Sequence, residues 1–567
     1  VTGDLTGGLK LNNFATATLT NNDTNSSAGL GAVSASGTTL TIASGVQGFV
    51  ASSSINLGTG TLRVTGVAPV NLGSAVTAND VAAADSTGVI TLELVGVGTV
   101  GTVVTGTGND LITLSTAART TGDYSISTGE GSDSLTISFV EGFSWNGGLG
   151  YDTLKMDSTF DLTGQTVSLS SVDAISLDTG NNGTETLTLT AVQFNTNTAF
   201  TLLGGGTSAD NLIIKGSETA DTINASAVSV EVGEAFLILN GNGGADIITG
   251  SEFADTINGG ADADVMSGGN YGDTYVFNTS NVVSGESIFE ASTGTGTDTV
   301  SVVTSTDFST ITAASFDEIE AITLAAGQTA TFTSAQLTGE TIVLTGQSGN
   351  TETLTVNVGL GETFISGLTT GTDFNTISYT GSAGDEVITG GALVETITGN
   401  GGNDVITGNG GQDTLVFLTA AASANGIDSI YFGVVDGNTV DDILDFTANA
   451  AFLGTTTESR GIFPETNVTN TGTGIATDAA NQNILFLTGA YFANAAALAA
   501  ATTVFSAVGA GQVLIIYSGS ATDHSRIAVS TLDAGGDVTS AVDVAILVGV
   551  TVVEASTGLA STNFILD

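Results

Sequence analysis

The sequence predicts an all-β protein wound as a solenoid, and three observations lead to this fold class. A nine-residue phrase runs four times without a break over 241–276 and four times over 381–416, with Gly at its head, an acidic sixth place and an apolar eighth place. Short runs of Thr and Val alternate with Gly and Asn turns, which favours short strands. A longer acidic pattern recurs at Asp152 and Asp298. Recurrence of this kind is typical of stacked coils and is not needed in a flat sandwich.

Residues 1–100 form a predicted β region, and the sequence leaves open whether it anchors the protein or continues the solenoid. They are rich in Thr, Ser, Ala and Asn, and β-branched runs such as Thr39–Ile42 and Val89–Val95 are broken by Gly or Asn every few residues. This composition predicts short strands joined by turns, with no helix longer than a turn or two. It assigns no role to the segment.

Residues 101–280 form a predicted first module that ends in the block 241–276. The acidic turn phrase occurs singly here before it occurs in tandem, and its acidic places are Asp110, Asp133, Asp152, Asp210 and Asp221. A lone acidic turn has no stacking partner unless the coils between turns have matching lengths. Two interpretations therefore stay open for these turns, a metal ligand and an ordinary Gly-Asp turn.

Residues 281–420 form a predicted second module that ends in the block 381–416. Glu386 and Glu395 stand at the acidic place of two phrases in this block, where the first block has only Asp. The extra methylene lengthens the ligand arm. We therefore expect weaker or reorganised sites in the second block, with Asp385 as a candidate additional ligand.

Residues 421–567 form a predicted C-terminal cap of mainly β structure. The Ala-rich segment Ala490–Ala501 is the best helix candidate in the chain. The runs Val513–Tyr517, Arg526–Leu532 and Val542–Val550 are apolar or alternating, which predicts hairpin strands. The sequence ends in Asn563–Asp567, a few apolar residues beside an acidic one.

The nine-residue phrase resembles the calcium-binding nonapeptide repeat of the repeats-in-toxin (RTX) family. The resemblance implies a right-handed parallel β-solenoid, or β-roll, with Gly-Asp-rich calcium turns, and a cap of this kind resembles the C-terminal signal of type I secretion. In the family's roll each nonapeptide is half a coil, so alternate repeats stack and share an ion. The residues that this implies as ligands of several Ca²⁺ ions are stacked in four pairs, Asp246 with Asp264, Asp255 with Asp273, Asp404 with Glu386 and Asp413 with Glu395. The single turns add Asp110, Asp133, Asp152 and Asp221 as candidates.

The chemistry of these turns suits calcium, which takes six to eight oxygen ligands from carboxylates and carbonyls. Gly-rich turns leave backbone carbonyls unobstructed. Rungs of a stacked sheet lie about 4.8 Å apart. Two unscreened carboxylates at that distance repel by about 3 kcal/mol at an effective dielectric of about 20. We therefore expect the metal-free blocks to be loose or unfolded, with calcium binding coupled to folding.

The charge balance excludes several classes of partner. The chain of 567 residues carries 57 acidic and 7 basic side chains, a formal net charge of −50, and no Lys or Arg lies between 216 and 459. Phosphate binding needs basic groups, so nucleic acid is excluded as a partner. The sequence contains no run of 18 apolar residues, so it predicts no transmembrane helix. The absence of Cys excludes disulfides and thiolate sites.

The sequence offers no catalytic apparatus. His524 is the only His, and neither a zinc-protease motif nor a nucleophile elbow is present. A solvated loop is the better interpretation for His524, and a packed core position is the better one for the single Trp145. Paired carboxylates carry little information when 57 acidic residues are available. We predict that the chain is not an enzyme.

These features together resemble bacterial surface-layer proteins. The resemblance implies a secreted, calcium-dependent structural protein that assembles with itself into a lattice on the outer membrane of a Gram-negative cell, anchored to lipopolysaccharide. A secreted adhesin or an extracellular filament subunit stiffened by calcium is the alternative, and a secreted enzyme is the third class.

Overall fold

The computed structural model describes most of the solenoid and parts of the C-terminal region. The described residues are 9–10, 14–21, 28–35, 37, 39–51, 53–95, 101–116, 123–138, 142–177, 183–205, 209–231, 235–279, 281–289, 296–312, 316, 318–349, 351–371, 373–374, 376–417, 427–431, 443–445, 484–500, 511–518, 524–533, 538–548 and 564–565. The chain divides into two compact units, 1–276 with 286–298, and 277–285 with 299–567.

Short strands make up almost all of the first unit. They are β1 Leu9–Lys10, β2 Thr16–Asn21, β3 Ala28–Leu30, β4 Val33–Ser34, β5 Thr39–Ser44, β6 Phe49–Ala51, β7 Ile55–Asn56, β8 Thr61–Gly66, β9 Val70–Thr77, β10 Asp80–Ala82, β11 Ile90–Val95, β12 Gly101–Val104, β13 Leu111–Thr116, β14 Tyr124–Ser127, β15 Ser134–Ile137, β16 Phe143–Asn146, β17 Thr153–Met156, β18 Phe160–Asp161, β19 Val167–Ser170, β20 Ala174–Ser176, β21 Thr186–Thr190, β22 Thr201–Leu203, β23 Asp210–Lys215, β24 Thr222–Asn224, β25 Ser229–Val230, β26 Ala235–Asn240, β27 Ile247–Thr249, β28 Asp255–Asn258, β29 Val265–Ser267, β30 Thr274–Phe277 and β31 Ser287–Ile288.

Alternate strands of this unit pair in parallel, so the chain winds as a two-sided coil. One sheet runs β7-β9-β11-β13-β15-β17-β20-β22-β25, and the facing one runs β2-β5-β8-β10-β12-β14-β16-β19. Strands on both sides of residue 100 belong to these two sheets, with β10 beside β12 and β11 beside β13. The described strands before residue 96 therefore belong to the same coil as those that follow residue 100. The all-β parallel solenoid predicted from the repeats is confirmed.

The core of the coil is a set of apolar files that run from rung to rung. Ile112 aligns with Leu135, Leu135 with Leu154, and Leu154 with Ile175. All four side chains are buried. Each such side chain contributes about 1.5–3 kcal/mol relative to an exposed one. Because the files need only one apolar residue per rung, the sequence can be poor in large apolar residues and still fold. Trp145 is buried in this core, as predicted.

The second unit has the same construction. Its strands are β32 Thr299–Val302, β33 Thr306–Asp307, β34 Ala321–Leu324, β35 Thr329–Thr333, β36 Val343–Thr345, β37 Thr353–Asn357, β38 Thr363–Ile365, β39 Thr369–Thr370, β40 Thr376–Thr380, β41 Val387–Thr389, β42 Glu395–Thr398, β43 Val405–Thr407, β44 Thr414–Val416, β45 Asp428–Tyr431, β46 Ile443–Asp445, β47 Ile484–Tyr491, β48 Gly511–Ser518, β49 Ser525–Leu532, β50 Val538–Leu547 and β51 Phe564–Ile565. One sheet runs β33-β35-β37-β40-β42-β44-β46-β51 and another runs β38-β41-β43-β45-β50-β49-β48-β47.

The C-terminal region contains the predicted hairpin strands with shifted bounds. β48 pairs with β49, and β49 with β50, in antiparallel fashion. The third strand occupies 538–547, earlier than the predicted 542–550, and 549–550 lie outside the described residues. β50 also pairs in parallel with β45, so the hairpin strands extend a solenoid sheet.

The structure describes three short helices, α1 Ala191–Phe194, α2 Ser334–Leu337 and α3 Ala495–Ala500. The predicted helix over 490–501 was too long, because residues 490 and 491 belong to β47. The helix starts where Asn494 accepts the N–H of Ala497 at 2.9 Å. An Asn at the N-cap fixes that boundary more firmly than Ala content does. Residue 501 lies outside the described residues.

The helices α1 and α2 carry the same internal clamp, which sequence analysis missed. Gln193 accepts the N–H of Thr190 at 2.7 Å and donates to the carbonyls of Leu162 and Gln165 at 2.8 and 2.7 Å. Gln336 makes the equivalent bonds to Thr333, Phe308 and Ile311 in the second unit. The shared signal is Thr-x-x-Gln. This repetition agrees with two related modules.

We expect Gln193→Ala to destabilise the protein by about 1–3 kcal/mol, because two carbonyls lose their side-chain donor and Thr190 loses its acceptor. Denaturant unfolding of the full chain measures the effect. The exposed neighbour Val192 provides the control Val192→Ala, whose midpoint should match the wild type. Equal midpoints for the two variants would show that the clamp does not contribute to stability.

Candidate metal centre

Backbone stacking brings the acidic places of alternate repeats together in the first block. The N–H of Asp246 donates to Oδ1 of Asp264 at 2.8 Å. The N–H of Asp255 donates to Oδ1 of Asp273 at 2.8 Å. These are the two stacked pairs that the resemblance to the RTX roll implies. Each carboxylate is therefore held against the rung before it by a backbone donor.

The second block has the same pairing in spite of its two Glu residues. The N–H of Glu386 donates to Oδ1 of Asp404 at 2.8 Å, and the N–H of Glu395 donates to Oδ1 of Asp413 at 2.9 Å. Asp385 lies on the rim and accepts the N–H of Asn403 at 2.7 Å. Glu thus fills the acidic place without changing the register of the stack.

The stacks extend beyond the repeats into columns of carboxylates that sequence analysis did not predict in full. Glu286 accepts the N–H of Asp264 at 3.2 Å, Asp298 that of Asp273 at 2.8 Å, and Asp428 that of Asp404 at 3.1 Å. A Gly lies two residues before both Asp298 and Asp428, and this sequence feature could have indicated that they belong to the columns. Glu286 had no such signal, because its coil departs from the nine-residue period.

The single turns also stack, although they lie at unequal distances along the chain. The N–H of Asp110 donates to Asp133 at 2.7 Å, that of Asp133 to Asp152 at 2.8 Å, and that of Asp152 to Asp173 at 2.8 Å. Turns that look isolated in the sequence therefore form one column.

Five columns result, and we number them from the N terminus. Column 1 is Asp110, Asp133, Asp152 and Asp173; column 2 is Asp221, Asp246, Asp264 and Glu286; column 3 is Asp255, Asp273 and Asp298; column 4 is Glu386, Asp404 and Asp428; column 5 is Glu395 and Asp413. A sixth stacked pair, not numbered as a column, joins Glu185 to Asp210: Asp210 accepts the N–H of Glu185 at 2.9 Å on one oxygen and that of Gly205 at 2.9 Å on the other.

Many of these carboxylates are buried with one oxygen that accepts no hydrogen bond. Asp152 and Asp264 are 0% exposed. The unpartnered oxygens belong to Asp110, Asp133, Asp152, Asp246, Asp264, Asp273, Glu286, Glu395 and Asp404. A buried charge without a partner is among the costliest features that a fold can contain. A cation or a proton is therefore needed at these oxygens.

The head Gly of several phrases makes room for a carboxylate oxygen and a carbonyl oxygen that converge on one space. A Cβ at Gly241 would lie 2.2 Å from both Oδ2 of Asp246 and the carbonyl oxygen of Gly259 on the next rung. A Cβ at Gly390 would lie 2.9 Å from Oε2 of Glu395 and 2.6 Å from the carbonyl oxygen of Gly408. Two acceptors that face one small space repel each other unless a cation lies nearby. Only Gly leaves that space open.

The donor set fits calcium better than a softer metal. It consists of carboxylate and carbonyl oxygens, the ligands that Ca²⁺ prefers. Within the described residues, no three His, Cys, Asp or Glu side chains converge on one metal position. The residues that would hold an ion therefore supply at most a carboxylate pair, and backbone carbonyls would complete its shell.

Burial also raises the pKa of carboxyl groups in the columns. Desolvation, with smaller contributions from neighbouring carboxylates, raises the pKa of Asp246 to about 7, of Asp264 to about 6 and of Asp273 to about 8. The pKa of Asp133 and Asp404 is raised to about 7 by the same cause. Without a metal, the columns therefore resist full ionisation at neutral pH.

A comparison with known protein families identifies the repeats. The model of the RTX calcium-binding nonapeptide repeat, in four copies, matches residues 240–274 and 380–415. The chain carries RTX calcium-binding repeats. These repeats imply that the chain binds Ca²⁺. No curated protein matches the chain. Columns 2 to 5 draw on the matched RTX segments, whereas column 1 lies outside them.

Within the described residues, the features outside the columns form no second candidate site. His524 is exposed beside β49, in agreement with the predicted loop position. No helix in the described part of the chain is long and apolar enough to cross a membrane. The columns are therefore the candidate functional site.

We expect the calcium-free protein to lose stability as the pH rises. The folded-state pKa values lie above the ordinary carboxyl value, so the protonated folded state is favoured below about pH 4 and that stability is lost as the pH passes through about 6–8. Denaturant unfolding of calcium-depleted protein at pH 5 and pH 8 measures this. A midpoint that is higher at pH 8 than at pH 5 would contradict the account.

We expect Asp264→Asn to separate the structural and metal-binding roles of the column. The amide oxygen can still accept the N–H of Asp246, but a buried charge is removed. The calcium-free protein at pH 7.5 should therefore melt higher than the wild type, and added calcium should raise its melting temperature less. The exposed Asp157 provides the control Asp157→Asn. An equal calcium response in both variants would remove Asp264 from the set of ligands.

Proposed function

We propose that this chain is a secreted structural protein of a Gram-negative cell surface, which folds on binding calcium and assembles with itself into a surface layer. The observation that carries this proposal is the set of buried carboxylate columns with unpartnered oxygens. Their number and their place inside the coil point to calcium as part of the fold. RTX repeats are typical of secreted proteins, which meet calcium after export.

Two roles for calcium follow from the charge of the chain. Within a column, the ion supplies the positive charge that the segment 216–459 lacks in its side chains. Between copies, calcium bridges acidic faces that a net charge of −50 would otherwise keep apart. A lattice of such copies would be anchored to lipopolysaccharide through calcium as well, since both surfaces are anionic.

We expect millimolar calcium to convert purified monomers into two-dimensional sheets visible by electron microscopy. Chelator should dissolve these sheets, because the bridging ions are removed. A parallel sample with magnesium is the control, since Mg²⁺ demands stricter geometry and gives up its water reluctantly. Linear fibres in place of sheets would favour an adhesin or filament subunit. Folded monomers at high protein concentration would overturn self-assembly.

A further inference from the structure

The acidic turns fall into two conformations, and the residue at the second place of the phrase distinguishes them. Six turns whose carboxylate has an unpartnered oxygen have a left-handed residue at this place, at Gly129, Gly148, Asn242, Gly260, Gly269 and Asn400, with φ of 91°, 105°, 68°, 109°, 132° and 65°. Each precedes by four residues a carboxylate with an unpartnered oxygen. We call these the open turns. Gly and Asn are the residues that adopt this backbone most readily.

Three turns have Ser at the second place, and there the carboxylate is satisfied from within. The N–H of Ser251 donates to Oδ2 of Asp255 at 2.5 Å, and its hydroxyl lies 3.0 Å from the same oxygen. Ser217 makes the same two bonds to Asp221, at 2.6 and 2.8 Å. None of the three Ser residues has a positive φ. We call these the closed turns.

The third closed turn has Glu as its acidic residue and follows the same rule. The N–H of Ser382 donates to Oε2 of Glu386 at 2.9 Å, and its hydroxyl donates to Oε1 at 2.6 Å. Glu386 is 1% exposed, yet neither of its oxygens is among the unpartnered ones. The N–H and the hydroxyl of Ser382 thus stabilise the buried carboxylate of Glu386, as an ion would otherwise do.

Consecutive repeats of the first block show the difference at matched positions. At Gly241, Oδ2 of Asp246 faces the carbonyl of Gly259 with no hydrogen-bond donor to that carboxylate oxygen. At Gly250, Oδ2 of Asp255 faces the carbonyl of Gly268 in the same way, but Ser251 supplies donors to it. Both turns contain the pair of oxygens, but only the turn that begins at Gly250 has hydrogen-bond donors to the carboxylate oxygen.

The closed turns also occupy one particular place in the columns. Asp221, Asp255 and Glu386 are the first members of columns 2, 3 and 4, and open turns follow each of them. Column 5 begins with an intermediate turn, in which Gly391 donates its N–H to Oε1 of Glu395 while Oε2 stays unpartnered. Ser therefore marks the N-terminal end of three columns.

We propose that Ser217, Ser251 and Ser382 end the calcium columns, so that a closed turn takes no ion and an open turn takes one. This inference rests on the proposed calcium-dependent function and names the positions that calcium occupies. A backbone N–H aimed at the carboxylate cannot be a metal ligand, and it fills the direction from which a cation would approach. The closed turns then fold without calcium and give each first open turn a formed neighbour on which to stack.

Exchanging the second residues of neighbouring turns tests this inference in the full chain. Ser251→Asn should open a closed turn and add a bound calcium ion, whereas Asn242→Ser should close an open turn and remove one. Native mass spectrometry of the calcium-loaded protein counts the ions, and circular dichroism confirms the fold. Ser382→Asn and Asn400→Ser repeat the exchange in the second block, so a variant that fails to fold in one block has a counterpart in the other.

Each outcome supports or overturns the assignment. Opposite changes in ion count within an exchange pair support it. Equal counts for the wild type and both variants overturn it and leave the calcium-dependent function standing. Loss of an ion in Ser251→Asn would make Ser251 a ligand and would also overturn it. A wild-type protein that binds no calcium would refute the proposed calcium dependence, and this inference with it.

The melting temperature of calcium-depleted protein provides a second measurement of whether a turn is closed. In calcium-depleted protein at pH 7.5, Ser251→Asn should lower the melting temperature, because Asp255 loses its hydroxyl donor and its N–H donor. Asn242→Ser should raise it, because Asp246 gains donors. Changes in the reverse sense would contradict the role of Ser as the substitute for an ion.

Discussion

Vertical stacking of parallel coils is the constraint on which the rest of the structure depends. Each rung repeats the backbone of the rung below, so one acidic place in a turn becomes a column of carboxylates. The bond from the N–H of Asp246 to Asp264, at 2.8 Å, fixes one carboxylate oxygen on the neighbouring rung. It leaves the other oxygen buried with no donor. The folded state therefore needs positive charge beside the buried carboxylates, and residues 216–459 contain no Lys or Arg to provide it.

Several features of the molecule follow from that need. Gly stands at the head of each phrase because a side chain there would collide with the carboxylate and with the next carbonyl, as at Gly241. The pKa of Asp273 is raised to about 8 because its charged form is desolvated. A bound proton, hydrogen bonds from Ser and a calcium ion are three ways to stabilise a buried carboxylate. The chain uses Ser at the ends of columns and leaves the remaining turns open to ions.

The fold class and the stacked pairs could be predicted because a fixed period of nine residues specifies which rungs touch. Asp173 and Glu286 could not be predicted as column members, since their coils have irregular lengths that only the three-dimensional register reveals. The Gln clamps were missed because a four-residue helix has no periodic signal. The start of α3 was misplaced because Ala content says little about where Asn494 begins the helix. The open and closed turns differ in sequence at the second place of the phrase, but the meaning of Ser at that place depends on the hydrogen bonds to the carboxylate, which only the structure shows.

Hydrogen exchange read by mass spectrometry tests the central claim, that calcium and the carboxylate columns fold together. The amides to follow are those that donate to the columns, such as the N–H groups of Asp246 and Asp255. At neutral pH the account predicts slow exchange of 241–276 and 381–416 with calcium and fast exchange after its removal. The apolar file that contains Leu40 and Leu62, on rungs that precede the columns, should depend less on calcium. Equal protection of both blocks with and without calcium would contradict the account.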